Sequence, residues 1–200
     1  GWLIAVVHAG NDKTGYLTIH HVQADQANAL SSPTVMFSEK LSDTALSNIV
    51  LAKGSSSQLA IGYTSGERVE VALLNLDTSA NPSTLSIEHT LDLSSLPGTA
   101  HHLPNVIWQP LRDEWILGVL ETSADPARLF VMRFTQDAVL LDAAAVQIFG
   151  SRNLQSEIGF HFKPIENGLV ILGYQLSGSG SQTRGNVIAS KFGCSTNIGD

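Results

Sequence analysis

Four cations recur at one kind of place in this chain. Lys13, Arg68, Arg128 and Arg184 each stand at the entry to an apolar, strand-like segment, just after a turn-forming stretch. Those stretches are Asn11-Asp12-Lys13-Thr14, Ser65-Gly66-Glu67-Arg68, Asp125-Pro126-Ala127-Arg128 and the Gly/Ser-rich residues 177–185. A guanidinium donates hydrogen bonds in a planar fork that matches a carboxylate or a sulfate. A fold that carried the four to one face would therefore build an anion-binding surface. The plainer reading is a set of solvated charges at strand starts, where they deter edge-to-edge pairing. His101 and His102 follow Leu96-Pro97-Gly98 in what reads as a long loop, and loop histidines there could contact a ligand on the same face. No third ligand lies within sequence reach, so the pair points to no metal.

Carboxylates offer a second chemistry. Asp113, Glu114, Glu121 and Asp125 are the candidates for an acid and a base. Glu121 ends one apolar segment and Asp125 lies in the loop after it, so these two could reach the loop face together. Two carboxylates about 5–10 Å apart around one cleft would support hydrolysis. Asp12, Asp25, Asp77 and Asp137 recur near loop edges without the run of oxygen ligands that a calcium loop needs. No nucleophile elbow and no phosphate-binding loop occurs. His20 and His21 are adjacent in an extended segment, so they point to opposite faces and cannot share one ion. His8, His89 and His161 read as strand histidines, and Trp108 and Trp115 as packing aromatics beside one turn. The single cysteine, Cys194, excludes an internal disulfide and a cysteine zinc site. No cofactor is expected.

The elements that must position these groups repeat. The segments LAIGY at 59–63, WILGV at 115–119 and VILGY at 170–174 share a pattern, with a partial copy, LIAVV, at 3–7. Val6, Gly62, Gly118 and Gly173 are then spaced by 56, 56 and 55 residues. One unit reads as strand A over 48–52, strand B over 58–64, strand C over 69–77 and strand D over 84–93. The next reads as A over 105–108, B over 114–121, C over 128–135 and D over 143–149. A third has A over 157–162, B ending at Tyr174 and C over 186–192, while the chain's first residues supply B, C and D. Short strands punctuated by Gly, Pro, Ser and Asn mark antiparallel meanders.

A four-stranded unit at this period predicts an all-β fold, a β-propeller of about four blade repeats. The expected divisions are 1–46 (a partial blade), 47–103, 104–156 and 157–200 (a second partial blade), within one propeller domain. Fourteen strands in groups of three, four, four and three leave an inner and an outer strand missing from a four-bladed ring. Part of a larger ring, or a ring completed by a second chain or copy, is the expectation. Leu103-Pro104-Asn105-Val106-Ile107-Trp108 followed by Asp113-Glu114-Trp115-Ile116-Leu117-Gly118 resembles the degenerate propeller repeats of secreted bacterial proteins. The paired signatures of WD40, kelch and sialidase blades are absent. The resemblance carries no catalytic residues.

Composition narrows the partners. The chain has 200 residues, 43% hydrophobic and 14% charged, with a net charge of −7. Its 11 basic residues are dispersed, so no positive surface for nucleic acid is expected. No apolar run is long enough to span a membrane, and no leader pattern opens the sequence. Few lysines and loops rich in Ser, Thr, Asn and Gly suggest a bacterial extracellular or cell-surface protein. The function expected is a non-enzymatic binding or scaffold module that recognises a protein, glycan or anionic ligand on its loop face. The alternatives are part of a carbohydrate-active hydrolase and a structural subunit of a surface assembly.

Overall fold

A computed structural model describes residues 2–9, 14–23, 30–55, 57–77, 79–80, 84–94, 96–98, 101–123, 127–146, 157–165, 168–177 and 184–193. Lys13, Asp12, Asp25, Asp125 and Cys194 lie outside the described residues. Among the described residues fourteen strands form four antiparallel sheets. Sheet 1 holds β1 (Trp2–Ala9), β2 (Gly15–Val22) and β3 (Thr34–Ser42) in that order. Sheet 2 holds β4 (Leu46–Lys53), β5 (Gln58–Ser65), β6 (Arg68–Asp77) and β7 (Thr84–Thr90). Sheet 3 holds β8 (His101–Gln109), β9 (Glu114–Glu121), β10 (Arg128–Phe134) and β11 (Leu140–Val146). Sheet 4 holds β12 (Glu157–Ile165), β13 (Gly168–Ser177) and β14 (Arg184–Gly193). Each sheet is a meander, as expected where Gly and Asp supply tight turns between β-branched runs. Gly66 and Asp113 adopt positive φ in two of those turns. None of the sheets closes on itself among the described residues. Among the described residues no helix is long and apolar enough to cross a membrane.

Two expectations about boundaries need correction. His101 and His102 lie in β8, not in a loop. The sequence places the start of this strand at Asn105, just after Pro104, and proline cannot donate to a ladder. The strand instead runs through it with a register shift between His102 and Asn105. The last strand of sheet 3 also begins at Leu140, three residues before the Ala143 start that the sequence suggested.

The repeat is visible in the hairpins. Ala9, Ser65, Glu121 and Ser177 each end a strand and pair with the first residue of the next, and they are spaced by 56 residues throughout. On this count Gly173 takes the place of Leu117 rather than Gly118. The Gly-aromatic motif is therefore one residue out of phase in sheet 4. A slip of one residue moves a side chain to the other face of its strand. Gly118 accordingly faces sheet 4, where a Cβ would fall 2.3 Å from the Phe162 ring. Ile171, two residues before Gly173, packs back toward sheet 3.

Three apolar layers join the sheets in sequence. Leu17, Ile19 and Phe37 of sheet 1 meet Leu59, Ile61, Tyr63 and Leu74 of sheet 2. Val69, Val71 and Leu73 of sheet 2 meet Trp115, Leu117, Phe130 and Phe134 of sheet 3. Ile116, Leu120 and Leu129 of sheet 3 meet Phe160, Phe162 and Ile171 of sheet 4. Sheets 2, 3 and 4 keep one sense, the forward face of each covering the rear face of the next. Sheet 1 is turned over, because Leu3, Ala5 and Val7 pack on sheet 2 although they are the counterparts of Leu59, Ile61 and Tyr63. Polar clasps supplement the layers. Trp115 Nε1 donates to Gln58 Oε1 at 2.9 Å, and Gln109 Nε2 donates to the Ile165 carbonyl at 3.1 Å. Ile4 and Val6 on sheet 1, and Leu172 and Tyr174 on sheet 4, remain exposed at the two ends of the stack.

Candidate functional site

The hairpin that joins β5 to β6 ends at Arg68, and the hairpin that joins β9 to β10 ends at Arg128. Beside the first of these, the connector after β7 folds back over the start of β6. Leu91 N–H extends the ladder by donating to the Val71 carbonyl at 2.9 Å, and Leu91 is buried. Leu96 N–H then closes a turn on Leu93, and His101 N–H donates to the Glu67 carbonyl at 2.8 Å. The result is a cleft of about 590 Å³ lined by Arg68, Val69 and Glu70 of β6, by residues 90–94 and 96, and by Gly98 and His101.

The four cations do not behave as one set. Arg68 is exposed on the cleft and makes no ion pair among the described residues. Arg128 occupies the equivalent hairpin position, but Nε donates to Glu121 Oε2 at 3.0 Å and the guanidinium lies 5.7 Å from the Phe130 ring centroid. Arg184 opens β14 opposite Ser177. Lys13 lies outside the described residues. Sequence position alone could not separate these roles, because Ser65, Glu121 and Ser177 share one hairpin position and only one of them is an acid.

The histidines separate as well. His101 is buried, with Nε2 3.1 Å from the Pro97 carbonyl and its ring edge-on to Phe130. It builds the cleft wall rather than presenting a free imidazole. The side chain of His102 is outside the described residues. Behind that wall Glu121 is fully buried and also accepts a hydrogen bond from the Ser123 hydroxyl. Gly98 has φ +102, and a Cβ there would fall 2.6 Å from the Glu121 side chain. Only glycine fits both the left-handed backbone and that approach.

Of the acid/base candidates, Glu114 and Glu121 stand at opposite ends of β9. Arg133 grips Glu114 through two bonds, at 2.9 and 2.6 Å. Asp113 sits exposed in the turn before β9. Among the described residues no cluster of three His, Cys, Asp or Glu side chains could hold a metal ion.

Sequence reasoning missed Glu70, Asp92, Ser94 and the leucines of the connector. The available signal was Asp92-Leu93-Ser94, since Asp often accepts from the backbone two residues on. Asp92 Oδ1 does so, taking the Ser94 N–H at 2.9 Å. Hydrogen bonds from the Ser94 hydroxyl and that N–H hold the Asp92 carboxyl below its ordinary 3.8. Glu70 accepts from the Tyr63 hydroxyl at 2.9 Å.

Burial first, and then the charge of Glu70, raise the Tyr63 phenol well above its ordinary pKa of 10.0. The folded state therefore favours the neutral phenol, while the unfolded chain ionises at the ordinary value. Stability from this difference is intact below pH 10 and is lost as the pH climbs from there through the raised folded value. Urea titrations should show the wild type losing about 1 kcal/mol more than Tyr63→Phe between pH 10 and pH 11. Equal losses would mean that Tyr63 ionises as freely in the fold as outside it.

No family model, curated protein or solved structure matches this chain.

Proposed function

We propose that this chain is a non-enzymatic binding module, an arc of β-propeller blades from a secreted or surface protein, with the β6–β8 cleft as its ligand site. The observation that carries the reading is that Arg68 and His101, from successive repeats, line one cleft of about 590 Å³. Strand β6 forms one wall and the connector that runs toward β8 forms the other, which suits binding by loops on a fixed scaffold. The common sense of sheets 2, 3 and 4 supports the propeller arrangement, and the turned-over sheet 1 is its one departure. The two buried glutamates of β9 are each held by an arginine, which favours binding over hydrolysis. The exposed apolar residues at both ends of the stack support a scaffold that a partner chain or second copy extends.

A small panel tests the site: octanoate, octyl glucoside, 3′-sialyllactose and inositol hexakisphosphate, each followed by backbone amide shifts. At least one probe should move the amides of Arg68, Leu93, Ser94 and His101. Ser94→Trp, which fills the exposed mouth, should weaken that probe at least about tenfold. Shifts confined to other parts of the chain would remove the cleft from consideration.

A further inference from the structure

Resting on that reading of the cleft, we propose that its ligand is an amphiphile with one anionic group, a carboxylate or sulfate, on an apolar body. Three features of the lining set this class. First, among the described residues the cleft offers one available cation. Arg68 has no ion pair among the described residues, and the other basic side chain in the lining, His101, is buried and turned onto the Pro97 carbonyl. A guanidinium with free donors takes one carboxylate or sulfate through two parallel bonds.

Second, the acids in the lining repel further negative charge. Glu70 accepts from Tyr63, and Asp92 accepts from Ser94. Both carboxylates oppose a second anionic group, as does the net charge of −7. The same residues that leave room for a single anion therefore disfavour a polyanion.

Third, the remaining wall is aliphatic. Val69, Leu91, Leu93 and Leu96 line the cleft, and Leu93 and Leu96 are only partly buried. A ligand that covered these leucines would gain burial of apolar area, whereas a purely polar sugar would leave them wet. Among the described residues no Phe, Tyr or Trp lines the cleft, and the His101 ring is turned edge-on to Phe130, so a stacking platform for a sugar is not built there.

The same panel decides between this class and the others. Octanoate should move the amides of Arg68, Leu93, Ser94 and His101, and octyl glucoside, with a similar tail and no charge, should bind at least about tenfold more weakly. Arg68→Gln should weaken octanoate by a similar factor and leave octyl glucoside unchanged. Acetyl-Leu-Ala-Leu with a free C-terminus, set against octanoate, then distinguishes a peptide end from a free acid as the source of the carboxylate. Octyl glucoside equal to octanoate, or sialyllactose or inositol hexakisphosphate as the strongest probe, would overturn the inference and leave the cleft standing as a site. Silence of those amides toward every probe would overturn both.

Discussion

Replacing Trp115 by alanine should lower the unfolding free energy by about 3–5 kcal/mol, the range for deleting a large, fully buried aromatic. Trp115 is 0% exposed at the centre of the layer between sheets 2 and 3. Its ring meets Trp108 edge to face, 5.0 Å between centroids. Its Nε1 donates to Gln58 Oε1, and the same amide donates through Nε2 to the Gln136 carbonyl at 3.0 Å. The side chain thus anchors packing and closes a polar bridge from sheet 3 to sheet 2 and back. Alanine removes both. Phenylalanine should recover much of the packing and still lose about 1–3 kcal/mol, because Gln58 keeps a buried oxygen with no donor. Urea titrations followed by circular dichroism measure both variants. A loss below about 1 kcal/mol for alanine would mean that sheets 2 and 3 are not held through this residue.

Trp115 also shows what the sequence makes legible. Its place in an apolar segment after the Pro110–Asp113 turn identified a strand and a packing role, and both hold. The grouping into meanders was legible for a similar local reason, since turn residues and alternation act within a few positions. What spacing alone does not reveal is which way a face points. VILGY looks like WILGV, yet it is shifted by one residue against the hairpin end at Ser177, and its faces are exchanged. The sense of sheet 1 escaped for a different reason, because it depends on how a short connection folds a whole sheet over.

The candidate site was legible in its charged members and hidden in its apolar ones. Arg68 stands beside a turn that is plain from Ser65-Gly66-Glu67. The connector leucines join it only through the tertiary contact of residues 91–94 and 96–98 with β6, and Glu70 is recognised only from that contact. Arg128 had the same local signature as Arg68. What distinguishes it is the residue across the hairpin, seven positions earlier, and that difference makes a strong prediction.

Arg128→Ala should cost about 2–4 kcal/mol, whereas Arg68→Ala should change stability by less than about 0.5 kcal/mol. The reason lies in the partner. Glu121 is 0% exposed and Arg128 is 41% exposed, so truncation of the arginine strands a carboxylate in the interior. Removing one member of a buried pair costs about 3–5 kcal/mol, and the lower range here allows for water reaching the arginine side. The Ser123 hydroxyl remains on Glu121 and offsets part of the loss. Adding Glu121→Gln to Arg128→Ala should return most of the lost stability, because the stranded charge is then gone. A ring of equivalent ligand-binding cations predicts the opposite pattern, with both arginines dispensable for folding and both needed for binding. Urea midpoints of the three variants, read beside octanoate binding, separate the two accounts. An unchanged midpoint for Arg128→Ala would return that residue to the ligand surface. A large loss rescued by Glu121→Gln would leave Arg68 as the cation that the fold can spare for a ligand.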